Sequence, residues 1–154
     1  GGVGQMSSPV ARMFLSESAE LGQMHMRDFT TELKVLSGGD NPFTGPLYIL
    51  VDEGTASTSE IFAIAMRDLE RATIVGAGPS AGMALPSVIE TLPSGGTLQF
   101  VVGDYRSPDG NVPEGTGVKP DVLVEETREA FLAGGDPVLD KAIEQAKADL
   151  ENSP

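Results

Sequence analysis

Residues 47–75 read LYILVDEGTASTSEIFAIAMRDLERATIV, and this stretch sets the fold. It opens on an unbroken apolar run, Leu47-Tyr48-Ile49-Leu50-Val51, the pattern of a short strand buried on both faces. From 58 to 69, Ile61, Phe62, Ala65, Met66 and Leu69 recur at helical spacing. Ala72-Thr73-Ile74-Val75 then reads as a second strand. Strand, helix and strand in direct succession predict a right-handed crossover joining parallel strands, and an α/β fold.

The turn between the first strand and the helix carries Thr55, Ser57, Thr58 and Ser59. Two readings of it stand side by side. Ser57-x-x-Glu60 before an apolar run is a capping box, in which hydroxyl and carboxylate satisfy free amides at the helix start. The same place suits a nucleophilic serine. A helix N-terminus offers unpaired N–H groups and a positive dipole end, which an oxyanion hole requires.

Working outward, Met6, Val10, Met13, Phe14 and Leu21 predict a helix over about 6–20. A short extended segment is expected between Met24 and Leu36, and a loop at 37–42. Ser87–Leu92 and Thr97–Val102 flank Pro93-Ser94-Gly95-Gly96, a hairpin signal. Ser107-Pro108-Asp109-Gly110 is a turn, and 118–122 an extended exit. Leu139, Ile143, Ala146 and Leu150 mark a C-terminal helix at i, i+4, i+7 and i+11. The organisation expected is one domain over 1–125 and an acidic helical extension over 126–154.

Net charge is −13, which argues against nucleic acid or an anionic membrane as principal partner. Residues 121–154 hold nine acids and three bases, a net −6 read as a solvated helical face. With no cysteine, disulfides, thiolate catalysis and cysteine-ligated zinc are excluded. One histidine and scattered carboxylates predict no metal site, and the glycines at 76, 78 and 82 lack the Gly-Lys-Ser/Thr of a phosphate loop. No cofactor is expected. No apolar run reaches the roughly 18 residues of a membrane span. The opening Gly1-Gly2-Val3-Gly4 has no initiator Met and reads as part of a longer chain.

The segment GTASTSEIFAIAMRDLERATIVG, followed by Leu92-Pro93-Ser94-Gly95-Gly96, Tyr105-Arg106-Ser107-Pro108-Asp109-Gly110 and Gly117-Val118-Lys119-Pro120-Asp121, resembles the C-terminal processing (tail-specific) and tricorn-core serine peptidases. The likeness covers roughly residues 1–125. It implies a partial crotonase-like core and cleavage of peptide bonds through a serine acyl-enzyme. Ser57 matches the nucleophile, with the Thr58 N–H as one oxyanion donor. Gly1-Gly2 is similar to the end of the family's R-x-N-x-G-G loop, which makes the Gly2 N–H the other donor, unless these glycines are a cloning remnant. The implied substrate is a peptide or the unstructured C-terminus of a protein. The implied partners are upstream residues of the same protein, with a homo-oligomer left open. Family members are often extracytoplasmic, which is the sole pointer to location.

One departure bears on mechanism. Where tail-specific peptidases place a lysine base, this chain has Ala81-Gly82-Met83-Ala84. Lys34, Lys119, Lys141 and Lys147 all lie outside that motif. In the tricorn-like branch, to which the chain is therefore closer, an upstream histidine is the base and a glutamate orients it. Pro113-Glu114-Gly115-Thr116-Gly117-Val118 is similar to that glutamate's run, so Glu114 takes the orienting role. Glu60 is left to capping. The single histidine, His25, reads as a packing or surface residue. The expectation is a serine peptidase segment whose base lies elsewhere and which is inactive alone. The alternative is a non-catalytic module binding peptides or apolar ligands on the same scaffold.

Overall fold

The strand, helix and strand of 47–75 form as their residues dictate. The computed structural model describes residues 2–152. A 3-10 turn at Gly4–Met6 leads into helix α1 (Ser7–Ala11). Strands β1 (Ala19–Met26) and β2 (Thr30–Val35) follow, then β3 (Tyr48–Val51), helix α2 (Thr58–Asp68) and β4 (Thr73–Gly76). Strands β5 (Ser87–Thr91) and β6 (Thr97–Val101) make the hairpin. Strands β7 (Gly103–Arg106) and β8 (Val122–Leu123) precede helices α3 (Arg128–Leu132) and α4 (Pro137–Asn152).

Three sheets result. The first is antiparallel in the order β2-β1-β7, the second parallel in the order β3-β4-β8, and the third is the β5-β6 hairpin. Helix α2 lies between the first two. Ile61, Ala63 and Ile64 pack with Val51, Ile74, Tyr105 and Val118, while Ala65 and Met66 pack with Ala11, Leu21 and Val35. A helix apolar on most of its circumference is stable only when covered on more than one side. Burying each of Ile61, Ile64 and Met66 contributes about 1.5–3 kcal/mol before entropy is counted.

Two expectations are corrected. The 6–20 helix is only a turn and the five residues of α1. Met6, Val10 and Met13 are exposed, and Leu21 is instead buried in β1. What overrides the local periodicity is pairing with distant partners, Met24 with Tyr105 and His25 with Thr30 and Asp104. The short extended segment expected between 24 and 36 is instead the end of β1, which begins at Ala19, and the whole of β2. The C-terminal helix forms where its periodicity marks it, as α4. Val138 and Ala142 are buried against Val75, Tyr48, Val122 and Val124, while Leu139, Ile143 and Leu150 are exposed. The helix carries two apolar stripes, and the smaller side chains fit closer to the sheet.

Loop ends are tied to the parallel sheet by polar contacts. Asp121 accepts the Ile74 N–H at 2.8 Å through Oδ2 and donates its own N–H to the Ile74 carbonyl at 2.9 Å. The Lys119-Pro120-Asp121 run thus sets β8 alongside β4.

Candidate active site

Strand β3 ends in a turn organised by Asp52. Its Oδ1 accepts the Gly54 N–H at 3.0 Å and the Thr55 hydroxyl at 2.9 Å. The chain then reaches Ser57 with φ 60° and ψ −124°. That is not the left-handed helical well but a region glycine alone enters cheaply, costing another residue on the order of 1–3 kcal/mol. Strain of this kind survives only where the surroundings hold it, and Glu60 is the holder.

Glu60 is fully buried. Its Oε2 accepts the Ser57 N–H at 2.8 Å and the Met83 N–H at 2.9 Å. Its Oε1 accepts the Ser80 hydroxyl at 2.6 Å and the Gly82 N–H at 2.7 Å. Four donors meet the demand of a buried carboxylate without a cation. Glu60 does cap the helix, as expected from the sequence, and it also fastens the 80–83 loop to the serine turn. The Ser80 hydroxyl accepts the Val118 N–H at 2.7 Å, so the same network reaches the 113–118 loop. A side chain on Gly117 (φ +69°) would put a Cβ 2.2 Å from the Ser80 carbonyl, so this junction needs glycine. Nothing in the sequence singles out Ser80. A serine in a loop of Gly, Ala and Pro carries no signal until the fold sets it beside Glu60.

The serine turn delivers Thr58 to the first position of α2, where its N–H has no partner within the helix. The Thr58 hydroxyl donates to the Gly2 carbonyl at 2.9 Å. Gly1 lies outside the described residues. Ser57, Thr58 and Gly2 all line one open cleft of about 720 Å³. One wall includes four consecutive residues, 31–34, and another five, 84–88. Side chains alternate along a strand, so a cleft touching every residue of a segment faces its backbone edge. Strand β2 is an edge strand with its outer N–H and C=O groups unpaired in the sheet.

Glu114 accepts the Ala84 N–H at 2.8 Å, and Gly115 donates its N–H to the Gly82 carbonyl at 2.9 Å. Glu114 thus sits behind the 84–88 wall and bonds to backbone there rather than to Ser57. Met24 and Met26 line the cleft, so alternation turns His25 to the other face of its sheet, where Nδ1 meets the Thr30 hydroxyl at 3.2 Å. Lys34 does line the cleft, but hydrogen bonding to Glu32 and that group's charge raise its pKa above the usual lysine value. A base must shed its proton first, so Lys34 is poorly suited. Met83 is 65% exposed and borders a separate hollow with Val51, Asp52 and Glu53. Among the described residues the cleft holds Ser57 and the start of α2, with Lys34 and Glu32 paired to each other on its wall. No group of three or more metal-binding side chains occurs among the described residues.

The sequence profile of peptidase family S41 matches residues 1–124. The carboxyl-terminal-processing protease of Synechocystis sp. is 32% identical over 131 residues, 85% of this chain and 30% of that protein. The photosystem II D1 C-terminal processing protease superposes with a TM-score of 0.69 at 29% identity, over 81% of this chain and 32% of the other. A peptidase structure from Parabacteroides merdae superposes with a TM-score of 0.78 at 23% identity, over 95% of this chain and 48% of the other, a likeness of fold. The chain thus spans less than a third of the length of the Synechocystis relative.

Proposed function

The chain belongs to peptidase family S41, and from that membership we propose that it is the nucleophile-bearing segment of a serine peptidase built on a crotonase-like core. The observation that carries this is Ser57 itself. It is a non-glycine residue held at φ 60°, ψ −124° at the start of α2, inside a cleft. A capping serine needs no such backbone, since N-caps ordinarily lie in the extended region.

In the proposed reaction the Ser57 Oγ attacks the carbonyl carbon of a peptide bond while its proton passes to a base. The negative charge on the carbonyl oxygen is met by the N–H of Thr58 and that of Gly2. The base then protonates the departing amine as the C–N bond breaks. Water, activated by the same base, hydrolyses the acyl-enzyme. The base comes from residues beyond these 154, oriented by Glu114 through the loop it anchors. The substrate is an extended peptide, such as a protein C-terminus, lying between the edge of β2 and the 84–88 segment.

A fluorophosphonate probe on the full-length protein tests the reading. Labelling confined to Ser57, with peptide hydrolysis falling on the order of 10⁴-fold or more in Ser57→Ala, is expected. The 154-residue chain alone should hydrolyse nothing. A full-length protein that binds peptide yet never labels would instead favour a binding module, the reading supported by the 80–83 loop offering no base.

A further inference from the structure

We propose that the Thr58 side chain is a positioning residue, a clamp that holds the Gly2 peptide in register with the start of α2 so that two oxyanion donors share one anchor. The inference rests on the reading of Ser57 as nucleophile.

Thr58 is buried, yet its hydroxyl does not cap its own helix. It donates across the molecule to the Gly2 carbonyl at 2.9 Å. Glycine has the least restricted backbone of any residue, so a donor carried by Gly2 has no orientation of its own to keep. Nothing lies within 4 Å of where a Gly2 Cβ would sit, so no neighbour confines it from that side either. The Thr58 hydroxyl restrains the Gly2–Val3 peptide, and with it the Cα from which the Gly2 N–H hangs. With the Gly2 carbonyl bound to that hydroxyl, it cannot swing toward a developing negative charge.

A second observation concerns the same bond. Gly2 and Thr58 line both the Ser57 cleft and an adjoining hollow of about 750 Å³, whose walls include Val3, Met6, Ile49 and Phe62. The Thr58–Gly2 contact therefore stands between the two spaces. Breaking it loosens the wall that the two spaces share. A misplacement of about 1 Å at a reacting centre costs on the order of 10²-fold in rate, and losing one oxyanion donor costs about 10²–10³-fold.

The test uses Thr58→Val in the full-length protein. It keeps the backbone N–H and the side-chain shape but removes the hydroxyl. Both the fluorophosphonate labelling rate and kcat for an unstructured peptide should fall about 10²-fold with KM changed less than three-fold. Thr58→Ser should recover the rate to within about three-fold of the parent, since it restores the donor. If Thr58→Val folds poorly, Thr58→Ala is the second arm: it removes the hydroxyl with a better helix former and should show the same loss of about 10²-fold in labelling. Gly2→Ala added to Thr58→Ala should raise labelling about ten-fold over Thr58→Ala alone, because the methyl has open space and stiffens the backbone. Equal labelling of the parent and Thr58→Val at Ser57 would overturn the clamp while leaving the nucleophile in place. No labelling of the parent would overturn both.

Discussion

The two ends of helix α2 carry the only non-glycine residues at positive φ among those described, Ser57 at 60° and Glu70 at 53°. They are held in different ways. At the C-terminal end the Glu70 N–H bonds to the Arg67 carbonyl at 2.8 Å and the Arg71 N–H to the Met66 carbonyl at 2.9 Å. Those are the two main-chain bonds of a Schellman stop, and no side chain is needed to maintain it. At the N-terminal end the strained residue is held by a buried carboxylate that also binds Ser80, Gly82 and Met83. The same departure from common backbone geometry is local and dispensable at one end. At the other it is enforced by residues up to 26 positions away. Enforcement from a distance is what separates a site from a turn.

The largest effect should come from breaking that enforcement. Glu60→Gln places an NH₂ where an oxygen accepts two hydrogen bonds, leaving two buried donors unsatisfied at about 1–3 kcal/mol each. We expect a loss of about 2–4 kcal/mol, read as a lower urea midpoint at unchanged slope. A change under 0.5 kcal/mol would mean that the network does not hold the turn. The next effect has the opposite sign. Ser57→Gly should be more stable than Ser57→Ala by about 1–2 kcal/mol, because glycine enters this backbone region without strain and serves almost as well at an N-cap. The thermal midpoints of the two variants decide it. If they coincide, the serine is not strained and the contrast between the helix ends fails.

The sequence showed these two ends unequally. The strand, helix and strand were readable because an all-apolar run and a helical period sit next to each other, and parallel pairing of Tyr48 with Thr73 through Val51 with Gly76 follows from them. Hairpin β5-β6 was readable from its glycine turn. Strands β1 and β2 were hidden. A register shift between Glu20 and Gln23 breaks the alternation, and part of the pairing comes from β7, some eighty residues on. In the C-terminal helix, periodicity marks a stripe but not which of two stripes meets the sheet, and Val138 and Ala142 prevailed over Leu139 and Ile143. The motif proposes Ser57, Thr58 and Gly2, and the fold sets all three on one cleft. The hub role of Glu60, the part played by Ser80 and the Thr58–Gly2 bond depend on loops meeting in space, which spacing along a chain does not encode.

The smallest effect is at the other end of the helix and completes the contrast. Glu70 occupies the position where a Schellman stop prefers glycine, and a side chain there costs about 1 kcal/mol through contact of its Cβ with the backbone. Glu70 is also exposed, so removing its side chain takes little from packing. Glu70→Gly should therefore raise stability by about 0.5–1 kcal/mol, discounted for the extra freedom glycine gives the unfolded chain. It should leave the fluorophosphonate labelling rate within two-fold of the parent, since nothing in the Glu60 network reaches that end. Relief of strain at Glu70 that raises stability and leaves labelling unchanged is the outcome the comparison demands. A loss of labelling in Glu70→Gly would show that the helix transmits strain along its length and that the two ends are not independent.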